Sequence, residues 1–442
     1  MQFSIECHYN PHLSPGTEQL HTVLTVTARE SEAGSARFTA KKVFGYLIDV
    51  SGSMSGDKLH QAKLALRRQL DLLAPEDEFF VVTFNSDARV LVPLRQATDK
   101  ARGLAHGEVL TLHADGGTAM SGALLAARAQ FAQAGDCLAY AQFVTDGQND
   151  LADRDALRQA IEQCRGVFQC DAWGVGADWE PAQLKEIAHA LLGAADAVPE
   201  PRQLESRFRQ AQQRAASRGV GDVQLRLQLP KSVRIVAVRQ QTPEILDLTR
   251  LILPSADGRE FIVPLGAWAP ETRDYYVVAR LEPQEEGEEV MAFRARIGLV
   301  DQGVQRSVEG PRVIATWTTD TDLSTRIHAQ VAHATGQQEL AESIREGLEA
   351  KGRGDVDQAT ALLGRAARLA HASGNDEVTR RLAKVVDIVS AEQGTVRLKS
   401  GSNRAADLEL DLGGTRTVRR RTAGTASTGQ EPPNDGPARS RP

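Results

Sequence analysis

From Lys41 to about Arg218, short apolar runs alternate with segments of helical period. VFGYLIDV (43–50), FFVVTF (79–84), CLAYAQFVTDG (137–147) and VFQCDAWGVG (167–176) are apolar along most of their length, not at every second position. Such runs read as strands buried on both faces. Between them, DKLHQAKLALRRQLDLL (57–73) places Leu59, Ala62, Leu66 and Leu70 on one helical stripe. ALLAARAQFA (123–132) and RDALRQAIEQC (154–164) are also helical in pattern, and a last helix from about Pro201 to Arg218 closes the region. ARVLVPL (88–94) reads as an antiparallel edge partner of FFVVTF. Strand–helix alternation of this kind implies a Rossmann-like α/β domain over 41–218, a mostly parallel sheet with helices on both faces.

The rest of the chain has a different texture. TEQLHTVLTVTAR (17–29) alternates like a half-buried strand and is followed by a small-residue connector, Ser31 to Ala36. Residues 219–319 carry short, turn-separated strands (223–230, 233–239, 259–266, 274–281, 290–300), the pattern of a β-sandwich. The strand or strands of 1–40 are expected to join that sandwich, with the α/β domain inserted into it. Residues 320–394 are helical in pattern and predict a small C-terminal helical bundle. Residues 395–442, rich in Gly, Thr, Arg and Pro, predict a disordered tail. The expected fold class is therefore multidomain: α/β, all-β and α.

Composition narrows the function. Hydrophobic residues make up 41% and charged residues 25% of the 442, as in globular proteins. A formal net charge of −6 gives no general basis for binding nucleic acid or an anionic membrane surface. No apolar run reaches the roughly 18 residues of a transmembrane helix, and the N-terminus lacks a basic-then-apolar secretory pattern. Cys7, Cys137, Cys164 and Cys170 are too few for a disulfide scaffold and lack zinc-site spacing. The expectation is a cytoplasmic protein with reduced thiols.

The stretch GYLIDVSGSMSGDKL (45–59) turns from a buried strand into serines and glycines around Asp49. Ligands of open α/β sheets sit beyond the carboxyl ends of the strands, so the position suits a site. A phosphate-binding loop needs G-x-x-x-x-G-K-[ST], but Gly52 and Gly56 are one residue too close and Asp57 precedes Lys58. A nucleophile elbow needs G-x-S-x-G, and the middle residue of GSMSG is Met54. A metal site fits better: Asp49, Ser51 and Ser53 are spaced two apart, and their oxygens are hard ligands suited to Mg²⁺. Thr118, after a glycine pair in HADGGTAMSGAL, and Asp146, at the strand end in FVTDGQND, are candidates for the remaining donors.

Asp49, Ser51, Ser53, Thr118 and Asp146, in that order, resemble the metal-ion-dependent adhesion site of von Willebrand factor type A domains. The resemblance covers about 41–217, and the whole arrangement is similar to bacterial cytosolic proteins with such a domain. It implies that Ser51, Ser53 and at times Thr118 touch the metal (Mg²⁺, or Mn²⁺ or Ca²⁺) and that Asp49 and Asp146 act mainly through waters. It also implies an open coordination position for a partner's Asp or Glu. The expected role is a metal-dependent scaffold or adaptor, not an enzyme. An accessory subunit of a separate AAA-type ATPase is the alternative, and a metal-dependent hydrolase a weaker one, since no general base accompanies the motif.

Two further features stand outside this motif. Arg353-Gly354-Asp355 spells an integrin-binding tripeptide, but reads better as a helix end followed by a cap. In DLELDLGGTRTVRRRT (407–422), acids alternate with Leu408, Leu410 and Leu412, which predicts an extended strand for a sheet edge. Thr415 and Thr417 follow in a basic setting and are candidate phosphoacceptors for a Ser/Thr kinase, to be read by a forkhead-associated domain. Arg416 and Arg419 to Arg421 form too short a cluster, without aromatics, for nucleic-acid binding.

Overall fold

A computed structural model describes residues 1–30, 41–255, 258–301, 304–399 and 404–419. The connector Ser31 to Ala36 and the arginines after Arg419 lie outside the described residues.

The chain opens with three strands, β1 (Gln2–Tyr9), β2 (His12–Leu13) and β3 (Gln19–Arg29). The α/β region follows as β4 (Lys42–Asp49), α1 (Asp57–Asp71), β5 (Glu78–Phe84), β6 (Ala88–Gln96), α2 (Asp99–Thr111), α3 (Met120–Ala134), β7 (Leu138–Thr145), α4 (Arg154–Cys164), β8 (Gln169–Val175), α5 (Pro181–Ala190), β9 (Ala195–Val198) and α6 (Leu204–Ala216). Its sheet runs β6-β5-β4-β7-β8-β9 and is parallel except for the edge hairpin β5–β6. The pleat of β4 divides the core in two. Val43 and Leu47 point to the face covered by α3, α4 and α5. Phe44, Tyr46 and Ile48 point to the face covered by α1, α2 and α6. This double burial explains the unbroken apolar runs. Gly45 has no Cβ because one would lie 2.4 Å from the Phe80 ring.

The helices α2 and α5 and the strand β9 were not legible in the sequence pattern. Only Ala105 and Val109 of α2 are buried, so its apolar stripe is too thin to read.

From β4 the chain crosses to β5 on one side and later returns to β7 on the other. The carboxyl ends of β4 and β7 therefore flank the point where the strand order reverses, the usual ligand crevice of such sheets.

Eight more strands follow: β10 (Val220–Gln228), β11 (Arg234–Thr242), β12 (Leu246–Asp247), β13 (Leu253–Pro254), β14 (Glu260–Trp268), β15 (Thr272–Arg280), β16 (Glu289–Asp301) and β17 (Val304–Trp317). They form two sheets, β1-β3-β15-β11-β12 and β13-β14-β10-β16-β17-β2. Because β3 pairs antiparallel with β15, the α/β region interrupts a sheet in sequence. Leu24, Val26, Tyr275 and Val277 of the first sheet share one core with Leu225, Leu227, Phe293 and Ala295 of the second.

The C-terminal part comprises α7 (Thr321–Ser324), α8 (Ala329–Gly352), α9 (Val356–Ser373), α10 (Asp376–Val385), the hairpin β18 (Val386–Ser390) and β19 (Thr395–Leu398), and α11 (Arg404–Gly413). Gly354 takes a φ of 79°, and the Asp355 side chain accepts the Gln358 N–H at the start of α9, which is the helix-end reading of Arg-Gly-Asp.

The tail expectation needs correction as far as residue 419. Residues 395–398 form a strand, and 404–413 form a helix, not an extended strand. In a helix, residues two apart differ by about 200°. Leu408 and Leu412 therefore face one way, into the α/β core, while Leu410 faces the core of the C-terminal helices. A helix wedged between two apolar layers has the same alternation as a strand. Glu409 is buried as well, its carboxylate 2.6 Å from Lys384 Nζ.

Candidate metal centre

Asp49 ends β4 and is buried. Its Oδ1 accepts the Ser51 N–H at 2.7 Å, and its Oδ2 accepts the Thr145 hydroxyl at 2.5 Å. Thr145 ends the adjacent strand β7, so the carboxylate ties together the two strands flanking the crevice. Ser51 Oγ lies 3.1 Å from Ser53 Oγ, and Ser53 Oγ donates to Asp146 Oδ1 at 2.7 Å. The Ser51–Ser53 turn is pinned from outside, since Gly52 N donates to Gly116 O and Asp115 N to Val50 O. This pinning carries the GGT loop, and Thr118 with it, to the same place. A Cβ on Gly147 would stand 3.3 Å from Thr118 Oγ1 and 3.4 Å from Ser53 Oγ. The missing side chain at Gly147 thus leaves open the space between these hydroxyls.

All five candidate residues are brought together, with Asp49, Ser51, Thr118 and Asp146 buried. Among the described residues, no group of three or more His, Cys, Asp or Glu side chains gathers as a metal cluster. The donor set here is different: two carboxylates and three hydroxyls, all hard oxygens. Such a set suits Mg²⁺ better than a thiophilic metal. The four cysteines are free.

Burial raises the Asp49 carboxyl to about 6, against the opposing hydrogen bonds from Ser51 and Thr145 and with a further push from Asp146. The carboxylate charge is therefore costly in the absence of a cation.

Four contributors were missed from sequence. Lys58 Nζ, in the first turn of α1, lies 2.5 Å from Asp146 Oδ2 and 3.5 Å from Asp178 Oδ2. Burial alone would lower its pKa, but Asp146 and Asp178 raise it. Thr145 immediately precedes Asp146, so its adjacency was the available signal. Asn149 Oδ1 accepts the Met120 N–H at the start of α3 and holds the Thr118 loop.

The two candidate phosphoacceptors sit in a hydrogen-bonded segment. Thr415 Oγ1 donates to Glu244 Oε1 at 3.0 Å, and Thr417 Oγ1 donates to Gln241 O. Their backbone is engaged too: Ile245 N donates to Thr415 O and Thr417 N to Pro243 O. Residues 415–418 are half-buried against β11 and its loop.

A model of the von Willebrand factor type A domain matches residues 46–197, and a model of the von Willebrand factor type A C-terminal domain matches 368–414. The solved structure of a von Willebrand factor type A protein from Catenulispora acidiphila is 37% identical, with a TM-score of 0.87 over 95% of this chain and 97% of that one. The ArnB paralog VWA2 from Sulfolobus acidocaldarius is similar in fold, with a TM-score of 0.63 at 14% identity over 94% of this chain and 98% of that one. A Synechocystis protein is 28% identical over 209 residues, 46% of this chain and 49% of its own length. Bovine inter-alpha-trypsin inhibitor heavy chain H4 is 29% identical over 161 residues, 32% of this chain and 17% of its own. The chain thus spans half or less of these two relatives.

Proposed function

Because the chain belongs to the von Willebrand factor type A family, whose domains are known as protein-interaction and adhesion modules, we propose that it is an adaptor that grips a partner protein through a metal-dependent site. The observation that carries this reading is the convergence of Asp49, Ser51, Ser53, Thr118 and Asp146 oxygens at the switch point of the sheet. Ser51, Ser53 and Thr118 would hold Mg²⁺, or Mn²⁺ or Ca²⁺, with Asp49 and Asp146 behind them. A bound cation would supply an electrophilic position for a partner's Asp or Glu oxygen. Lys58 compensates part of the carboxylate charge, so the site keeps an appetite for an outside anion.

The role is binding, not catalysis, and the site is cytoplasmic in this reading. We read the two sheets that share one core as a β-sandwich and the helices after it as a packed bundle. No described helix is long and apolar enough to cross a membrane. The test is affinity capture on immobilised full-length chain, with Mg²⁺ or with chelator. A partner retained with Mg²⁺, released by chelator and lost on Asp49→Ala supports the reading. Retention indifferent to chelator and to Asp49→Ala rejects it.

A further inference from the structure

Away from the metal centre, a cavity of about 590 Å³ opens where the α/β region, the two sheets and the C-terminal segment meet. That volume is within the range of small-molecule sites. Its walls carry charged groups from all three parts, including Arg218 and Arg214 after and on α6, His189 on α5, Arg273 on β15, Glu244 after β11, and Arg416.

Most of these charges are already neutralised. Arg273 donates to the carbonyls of Leu265 and Ala267 and pairs with Glu271 at 2.5 Å. Arg416 pairs with Glu377 at 2.6 Å and with Asp196. The Asp171 carboxylate accepts the Ala194 N–H at 2.9 Å and the Tyr140 hydroxyl at 2.7 Å.

Arg218 differs. Its guanidinium lies 5.4 Å from the Tyr140 ring centroid and makes one hydrogen bond, Nη1 to the neutral Gln169 Oε1 at 2.8 Å. Among the described residues it has no carboxylate within ion-pair distance. Arg214, exposed at the mouth, has none either. A half-buried guanidinium whose neighbouring carboxylates, Asp171 and Glu271, stay beyond ion-pair distance is only partly compensated, and its planar fork suits a carboxylate or phosphate. Burial lowers the Arg218 pKa despite the nearby Asp171 and Tyr140, as expected of an under-neutralised cation. Burial also pushes the His189 imidazole down to about 4, so it faces the cavity neutral, with one donor and one acceptor. Glu244, held up to about 7 mainly by burial, presents less negative charge than a free carboxylate would.

We propose that this cavity binds a small organic oxyanion, a carboxylate or phosphate compound, anchored by Arg218 with Arg214 at the entrance. The ligand supplies the ion-pair partner that Arg218 and Arg214 lack and touches all three parts of the chain, so its binding stabilises their assembly by mass action.

The test is calorimetric titration of the full-length chain with inorganic phosphate and with citrate, at constant ionic strength. Wild type and Asp49→Ala are expected to bind at least one probe alike, which separates this site from the metal centre. Arg218→Met is expected to weaken binding roughly tenfold or more, the loss of a charge-assisted pair. Arg214→Met is expected to weaken it severalfold, and Arg214→Glu more, which keeps the test valid if Arg218→Met does not fold. The proposal is overturned if neither probe binds at millimolar concentration, or if the Arg214 and Arg218 variants bind like wild type.

Discussion

Lys58→Met should tighten Mg²⁺ binding while weakening the metal-free fold. The Lys58 ammonium lies 2.5 Å from Asp146 Oδ2, and its side chain is only 23% exposed. A divalent cation at the oxygen cluster would meet this positive charge on the far side of the same carboxylate. Charges of +2 and +1 about 6 Å apart repel by roughly 1.4 kcal/mol even at the dielectric of bulk water, which is about tenfold in affinity. A lower local dielectric enlarges the effect. Removing the ammonium also leaves Asp146, fully buried, without its charge partner. That costs the metal-free state roughly 1–3 kcal/mol, less than a fully buried pair because Lys58 is partly solvated. Both consequences favour the loaded form. Calorimetry should therefore show Mg²⁺ affinity rising about tenfold, and thermal unfolding should show a drop in Tm that saturating Mg²⁺ reverses. Equal or weaker Mg²⁺ binding, or a Tm loss that Mg²⁺ does not reverse, would refute this electrostatic reasoning.

Three other outcomes follow from the same structure. Asp49 is raised from 3.8 to about 6, so its contribution to metal-free stability is present below about 3.8 and is lost as pH rises through about 6. Metal needs the charged form, so Mg²⁺ affinity should fall about tenfold per pH unit below that value, as titrations from acidic to neutral pH would show. Glu244, raised from 4.5 to about 7, likewise loses its stabilising contribution as pH rises through about 7, so Glu244→Gln should raise Tm at alkaline pH and leave it unchanged near pH 4. Leu410→Ala should cost about 3 kcal/mol in denaturant unfolding, because Leu410 is fully buried; a negligible cost would mean that α11 is not part of the folded core.

The α/β region was the most readable because its strands are buried on both faces and its main helices are strongly one-sided. Asp49, Ser51, Ser53 and Asp146 stood out because they lie at or just beyond the ends of β4 and β7, whereas Thr118, in the loop between α2 and α3, stood out only by its place after a glycine pair. What escaped depends on contacts distant in sequence. Lys58 looked like a mismatch to a phosphate loop, and only the fold brings it to Asp146, 88 residues away. The leucines of α11 kept a period of two because two different cores flank the helix. Thr415 and Thr417 looked exposed because their partners, Glu244 and Gln241, come from a loop and strand far upstream.

Manganese titration of the full-length chain, followed by electron paramagnetic resonance of the free ion, tests the metal centre most directly. Saturable binding in wild type that is lost in Asp49→Ala and in Ser53→Ala is the predicted result. Wild type that leaves Mn²⁺ free, or variants that bind it as wild type does, would contradict a metal site at Asp49, Ser51, Ser53, Thr118 and Asp146.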